Sequence, residues 1–293
     1  MRALKPILVT GATGNVGREL VAQLRVAGRP IRALTRNPQS ANLPGDVDIV
    51  AGDLSAPATL DACLDGIDDV FLVWVAPFAA AAAAIDRIAS RARRVVLLSS
   101  PHRTDHPFFQ QPNALRAVHA GVELLIEASG LRWTVLRPGA FARNSSNWWG
   151  PQIANGDVVR WFYADAETAP IHERDIATSA ARVLCEEAHD GRDYVLTGPE
   201  SLTQRQQVEI IGAAIGRPLR FEELSPEAAR NQLLAMWPSP VADMLLTAYA
   251  AAVNRPAFVT STVAELTGTP AATFRQWADD HVHDFLPRSP AKQ

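Results

Sequence analysis

What most narrows the folds open to this chain is a stretch near its start, Ile7-Leu8-Val9-Thr10-Gly11-Ala12-Thr13-Gly14-Asn15-Val16-Gly17-Arg18-Glu19-Leu20. A short β-branched run leads through spaced glycines into a segment whose apolar residues Val16, Leu20, Val21 and Leu24 recur at helical period. Gly11 can take backbone angles closed to other residues, Gly14 lets an anion approach the main chain, and Gly17 lets the helix lie close to the strand. The free amides and positive dipole end of that helix face the turn. With a second strand over Ile31–Thr35, the spacing is that of a dinucleotide-phosphate site, which places Thr10, Gly11, Thr13, Gly14, Asn15, Val16 and Gly17 against a cofactor.

The pattern continues along the chain. Pro30–Thr35, Val47–Ala51, Asp69–Val75, Arg94–Ser100 and Trp133–Arg137 read as strands, and Asp69–Val75 is the near-continuous apolar run of a strand covered on both faces. Between them, Ser55 is placed to cap a helix, Ala79–Ala84 opens a closely packed one, and Asn113–Ser129 forms a long one ended at Gly130. Strands alternating with helices predict an α/β fold, a doubly wound Rossmann-like parallel sheet with ligands at the carboxyl ends of its strands. The alternation breaks after residue 140, giving a boundary between a dinucleotide-binding core, 1–142, and a mixed segment, 143–293. In that segment Asn144–Gln152 reads as a polar and aromatic loop and Asp175–Glu187 as an amphipathic helix. Asp193–Leu196 reads as a strand, and helices dominate beyond Thr203. Such a C-terminal lobe commonly builds the other wall of a pocket.

Composition excludes several classes. A net charge of −3 gives no basic excess for nucleic acid, and no run of eighteen uncharged apolar residues is present to span a membrane. The first strand starts too early for a signal peptide, so the expectation is a cytoplasmic protein. Cys63 and Cys185 sit in helix-like apolar contexts without metal-ligand spacing and are expected to be buried thiols. His281 and His283, beside Asp279 and Asp280, diverge on a helix and read as a solvated face rather than a metal site.

Several segments together resemble the NmrA-like branch of the short-chain dehydrogenase/reductase superfamily. They are the Thr10-Gly-Ala-Thr-Gly-Asn-Val-Gly17 turn, Arg36, Gly52-Asp53-Leu54, His119-Ala-Gly-Val-Glu123, and Ser129-Gly-Leu-Arg-Trp-Thr-Val-Leu-Arg-Pro-Gly-Ala-Phe141 with Asn144. Asp175-Ile-Ala177 and Thr262-Val-Ala-Glu-Leu-Thr-Gly-Thr-Pro-Ala-Ala-Thr-Phe274 complete the set. The resemblance spans nearly the whole chain. It implies a nicotinamide-cofactor site with a small substrate lobe, as in the family's quinone and triphenylmethane reductases and its non-catalytic NADP-sensing regulators.

Individual residues sharpen the expectation. Arg36 stands where a fold selecting NAD places an acid against the ribose 2′-hydroxyl, and no Asp or Glu lies between Ile31 and Gln39. A guanidinium there meets a 2′-phosphate bidentately, so NADP(H) is the expected cofactor; the plain alternative is a solvated arginine. Asp53, followed by Leu54, is either an acceptor for the adenine amino group, which the resemblance supports, or a helix-opening residue. Trp74, Val75, Ser99 and Ser100 close strands four and five near the nicotinamide half, the two hydroxyls serving either chemistry or loop backbone.

The wider superfamily carries a Tyr-x-x-x-Lys pair on the helix that holds His119. The register from Glu123 puts His119 at the lysine place and Leu115 at the tyrosine place. Because Lys5 and Lys292 are the only lysines, none of Tyr163, Tyr194 and Tyr249 has a lysine four residues on. His119 then either bonds the nicotinamide ribose or packs beneath the site, and His119 and Ser100 are the candidates for chemistry. Pro138 and Phe141 are candidates to line the nicotinamide, and Pro77, His102, Asn144, Trp148, Trp149 and His172 to line the substrate pocket, against plain packing.

The combined expectation is an NADPH-dependent oxidoreductase acting on a flat, conjugated small molecule such as a quinone. A dinucleotide sensor that turns nothing over and a tailoring reductase or isomerase of secondary metabolism are the alternatives. No nucleic-acid or membrane partner is expected, and oligomerisation is left open.

Overall fold

The computed structural model describes residues 4–111 and 114–287. The elements run β1 (Ile7–Val9), α1 (Asn15–Val26), β2 (Ile31–Thr35), β3 (Asp48–Ala51), α2 (Leu60–Leu64), β4 (Asp69–Val73), α3 (Ala81–Ala89), β5 (Arg94–Leu98), α4 (Ala114–Ala128) and β6 (Arg132–Pro138). They continue with α5 (Arg143–Asn155), β7 (Val158–Trp161), β8 (Glu167–Thr168), α6 (Glu173–Cys185), β9 (Arg192–Leu196), β10 (Leu202–Thr203) and α7 (Gln204–Ala214). The chain closes with β11 (Arg220–Glu223), α8 (Pro226–Leu234), α9 (Ser239–Ala250), α10 (Thr262–Thr267) and α11 (Phe274–Asp280).

Seven strands form one parallel sheet in the order β3-β2-β1-β4-β5-β6-β9. Alternation along each strand supplies both faces. Phe71 and Val96 point to one side, against Val16, Leu20 and Leu24 of α1 and Ile176, Ala180 and Leu184 of α6. Val70, Leu72, Val95 and Leu97 point to the other, against α2, α3 and α4. The strand order reverses between β1 and β4, so the crevice at their carboxyl ends is the natural ligand position.

A third cluster forms the core of the lobe, where Trp149, Ile153, Trp161, Val208, Ile211, Leu233, Phe274 and Trp277 meet. Beside it, short ladders join β11 to β7 and β10 to β8. The chain does not stay in the lobe: α6 returns to pack on α1, and β9 pairs in parallel with β6. Buried Arg94 fixes that return by donating to the Leu184 and Glu186 carbonyls at the end of α6, both at 2.6 Å, and to Asp69 at 2.8 Å.

Some local expectations fail for identifiable reasons. Asn144–Gln152 is helical within α5, because burial of Trp148, Trp149 and Ile153 on one face outweighs its weak helix formers. Ser55 caps no helix; its amide and hydroxyl both donate to Asp53 Oδ1, at 2.8 and 2.7 Å, and α2 starts only at Leu60. Cys63 is buried as expected, but Cys185 ends α6 exposed. His281 does not stand on a solvated face: its Nε2 lies 2.8 Å from Glu173 Oε1. Asn113 and residues 288–293 lie outside the described residues.

Candidate functional site

The glycine turn takes the expected form. Gly11 has φ +64°, and a Cβ on Gly17 would stand 2.1 Å from the Gly11 carbonyl, so only glycine allows α1 to start this close to β1. Helix α1 opens at Gly14 without a side-chain cap and without an acid in its first turn, leaving its amides and dipole turned outward. Thr13, Gly14 and Asn15 are exposed, whereas Val16 and Gly17 face the core. Buried Thr10 uses its hydroxyl to accept from the Val73 amide at 2.7 Å, a tie between β1 and β4 rather than a free ligand group. Arg18 carries no signal in sequence, yet it holds the turn in place by donating to the carbonyls of Thr13, Asn42 and Ala41.

Around this turn runs an open cleft across the carboxyl ends of four adjacent strands. Its walls include Thr10, Gly11, Thr13 and Gly14, then Thr35 and Arg36, Asp53 and Leu54, and Val75 and Pro77. Arg36 is exposed on one wall. Asp53 faces the same cleft, its carboxyl held below the ordinary value first by the Ser55 hydroxyl and amide and further by the Arg36 charge. Val75 lies 78% exposed in the cleft, an apolar surface that the core leaves uncovered. Trp74 turns the other way, into the core beneath the sheet, and does not reach the cleft wall.

At the ends of β5 and β6 the dominant feature is one that sequence reasoning missed. Glu123 on α4 is fully buried and pairs bidentately with Arg137, at 2.8 and 2.9 Å. Ser99 Oγ also donates to it, Arg103 lies at 3.1 Å and His102 Nε2 at 3.5 Å. Arg137 further donates to Asp193 and to the Ser100 carbonyl, so one ion pair locks α4, β5, β6 and β9 together. Ser99 is thereby occupied as structure. Ser100 is half-buried, its Oγ 3.3 Å from His102 Nδ1. Burial holds the His102 imidazole below its ordinary pKa despite Glu123, and burial does the same to His119. The His119 Nδ1 is enclosed and makes no hydrogen bond among the described residues.

Ser100 and His102 open onto a pocket walled by Phe108, Phe109, Leu115, Arg116, and Met244, Leu245 and Tyr249 of α9. Leu115 stands at its rim. A smaller recess lies on the other side of Phe108 and Phe109, against Gly139, Ala169 and Phe258. The lobe thus reaches the pocket through α9, an element whose sequence pattern showed only a helix.

The remaining candidates divide. Pro138 ends β6 buried, and Phe141 pairs with Ile171 and packs on the sheet core. Asn144 is half-buried in the first turn of α5 and outside both pocket linings. Trp148 stacks on Trp161 at 5.6 Å and Trp149 is 1% exposed, so both indoles build the lobe core instead of a substrate wall. His172 is also buried; it caps α6 by accepting from the Arg174 amide, and its Nε2 lies 3.3 Å from Asp280.

Comparison with known proteins agrees with this architecture. The family model described as NAD(P)H-binding matches residues 11–187. The chain is 40% identical to the (4-alkanoyl-5-oxo-2,5-dihydrofuran-3-yl)methyl phosphate reductase of Streptomyces griseus subsp. griseus, covering 96% of this chain and 99% of that protein. It is 32% identical to the NAD(P)H azoreductase of Xenophilus azovorans, covering 95% and 99%. Among solved structures, an NADPH-dependent quinone oxidoreductase from Escherichia coli superposes with a TM-score of 0.78 at 25% identity, over 94% of this chain and 98% of that one.

Proposed function

Because the chain belongs to the NAD(P)H-binding family and is an NAD(P)H-dependent oxidoreductase, we propose that it prefers NADPH and reduces flat, conjugated small molecules of the quinone class. The bound cofactor would supply a hydride. The chain's own residues fit that group: uncapped α1 amides for the pyrophosphate, exposed Arg36 for the 2′-phosphate, Asp53 for the adenine, and the orphaned His119 Nδ1 for the nicotinamide ribose.

The observation that carries the acceptor class is Leu115. It occupies the pocket rim where the superfamily resemblance places the proton-donating tyrosine, and a leucine donates nothing. Reduction of an isolated ketone creates an alkoxide, and positioned acid catalysis of such a step is typically worth about 10²–10⁴-fold. A quinone accepting hydride becomes a resonance-stabilised phenolate that water protonates, so positioning within the pocket suffices. The names of the two relatives, which specify oxo-dihydrofuran and azo acceptors, and of the quinone oxidoreductase point the same way. NADPH oxidation followed with a quinone panel and with cyclohexanone tests the reading: turnover of quinones and not of the ketone is expected. Comparable rates on both, or tight NADPH binding with no turnover of any conjugated acceptor, would refute it.

A further inference from the structure

The acceptor pocket contains a phenol that the missing Tyr-Lys pair conceals. Tyr249 sits on α9, far from the superfamily position, and its side chain is 4% exposed. Edge contacts from Phe108 at 5.2 Å, Phe162 at 5.6 Å and Trp148 at 6.0 Å clamp the ring in one orientation. The residue nevertheless lines the same pocket as Ser100 and His102. Its hydroxyl makes no hydrogen bond to any described residue. The hydroxyl is not among the enclosed side-chain atoms that lack a partner, so it is open to the pocket its residue lines. A fixed donor beside the chemistry, with no partner in the protein itself, is the arrangement that stabilises charge developing on a bound molecule.

The geometry points to Tyr249 as a catalytic residue whose hydroxyl donates a hydrogen bond to the carbonyl oxygen of the acceptor, stabilising the negative charge that hydride addition places there. The inference rests on the conjugated-acceptor reading above. The accounting is simple: one quinone oxygen takes the hydride, the ring passes the electron pair to the opposite carbonyl oxygen, that oxygen becomes the phenolate which Tyr249 hydrogen-bonds, and water protonates it while Tyr249 keeps its own proton. Burial raises the phenol well above its ordinary pKa, which keeps it a donor across the working range. The nearest precedent by role is an oxyanion hole, in which loss of one donor typically lowers rate by about 10²–10³-fold.

Tyr249→Phe keeps the ring and removes only the hydroxyl. With a benzoquinone and a cationic triphenylmethane dye as paired acceptors, the variant should lower kcat/KM for the quinone at least tenfold more than for the dye, which takes hydride on carbon and offers no carbonyl. Equal losses on the two would assign Tyr249 to packing and overturn the proposal. A second measurement needs no turnover: p-nitrophenolate, a stable mimic of the product oxyanion, titrated into the NADP⁺ complex and read by its visible absorbance. The wild-type protein should bind it at least tenfold more tightly than Tyr249→Phe, and equal affinity would overturn the assignment. Absence of reduction with every acceptor, alongside that tenfold difference, would refute the proposed function while leaving the oxyanion contact standing.

Discussion

The Glu123–Arg137 pair allows the most quantitative test of how the site is held. Glu123→Gln preserves shape and removes the charge. One carboxylate oxygen becomes an amide NH₂, and either placement sets that donor against donors: Arg137 and Ser99 on one side, Arg137 and Arg103 on the other. Removing one member of a buried ion pair costs about 3–5 kcal/mol. Arg137 keeps Asp193 at 2.7 Å and the Ser100 carbonyl at 3.1 Å, which argues for the lower end, about 3 kcal/mol. With an unfolding entropy of about 2.1 cal/mol/K per residue over 293 residues, that loss lowers Tm by about 5 °C. Differential scanning calorimetry of the cofactor-free protein measures it. A double-mutant cycle completes the argument: Glu123→Leu and Arg137→Met together should cost less than the sum of the single losses by about 1–3 kcal/mol, because each single variant strands the other residue's charge. An unfolding temperature unchanged in Glu123→Gln, or strict additivity in the cycle, would show that the pair does not carry this junction.

Two further outcomes are expected. Arg36→Ala loses a charge-assisted contact worth about 1.5–3 kcal/mol, so NADPH affinity should fall by roughly tenfold to a hundredfold while NADH affinity barely moves; equal losses in paired titrations would place Arg36 in solvent. The second concerns pH. Burial opposes the charge on His281, but its bonds to Glu173 and to the Trp277 carbonyl prevail and raise its pKa above the ordinary imidazole value. A raised folded-state value gives stability that is complete below the unfolded value of about 6.5 and lost as pH rises through the folded one. Tm should therefore decline from roughly pH 6.5 upward, and His281→Gln should flatten that slope; a parallel decline in the variant would acquit the histidine.

The sheet was legible because its information is local. Apolar runs such as Asp69–Val73 and Arg94–Leu98 admit one reading when turn residues bound them, and the glycines at 11, 14 and 17 announce their turn through geometry that no other residue allows. The Thr35–Arg36 and Asp53–Leu54 walls of the cleft were legible from strand ends together with the family resemblance. The pocket beside Ser100 and His102 was not, because its walls are joined by tertiary packing. Tyr249 and Met244 look like ordinary members of an apolar helix until α9 is seen against Phe108 and Ser100. Glu123 entered only within the His119–Glu123 motif and as the register mark of α4; nothing in a single helix reveals that Arg137 lies across from it. Trp148 and Trp149 misled in the opposite direction, since a polar context hid the helix that turns both inward.

The return of the chain from the lobe to the sheet bears on how the molecule comes into being on the ribosome. The apolar stripe of α1, complete once Leu24 is made, packs on the sheet but gains the rest of its cover only when Ile176, Ala180 and Leu184 of α6 emerge, and Arg94 waits equally long for the α6 carbonyls it binds. Until β9 arrives, β6 offers an unpaired edge to any neighbouring nascent chain. Synthesis therefore passes through an interval in which α2, α3 and α4 cover one face of the sheet while the other still lacks α6, a state open to misassociation. The site is finished later still, when α9 delivers Tyr249.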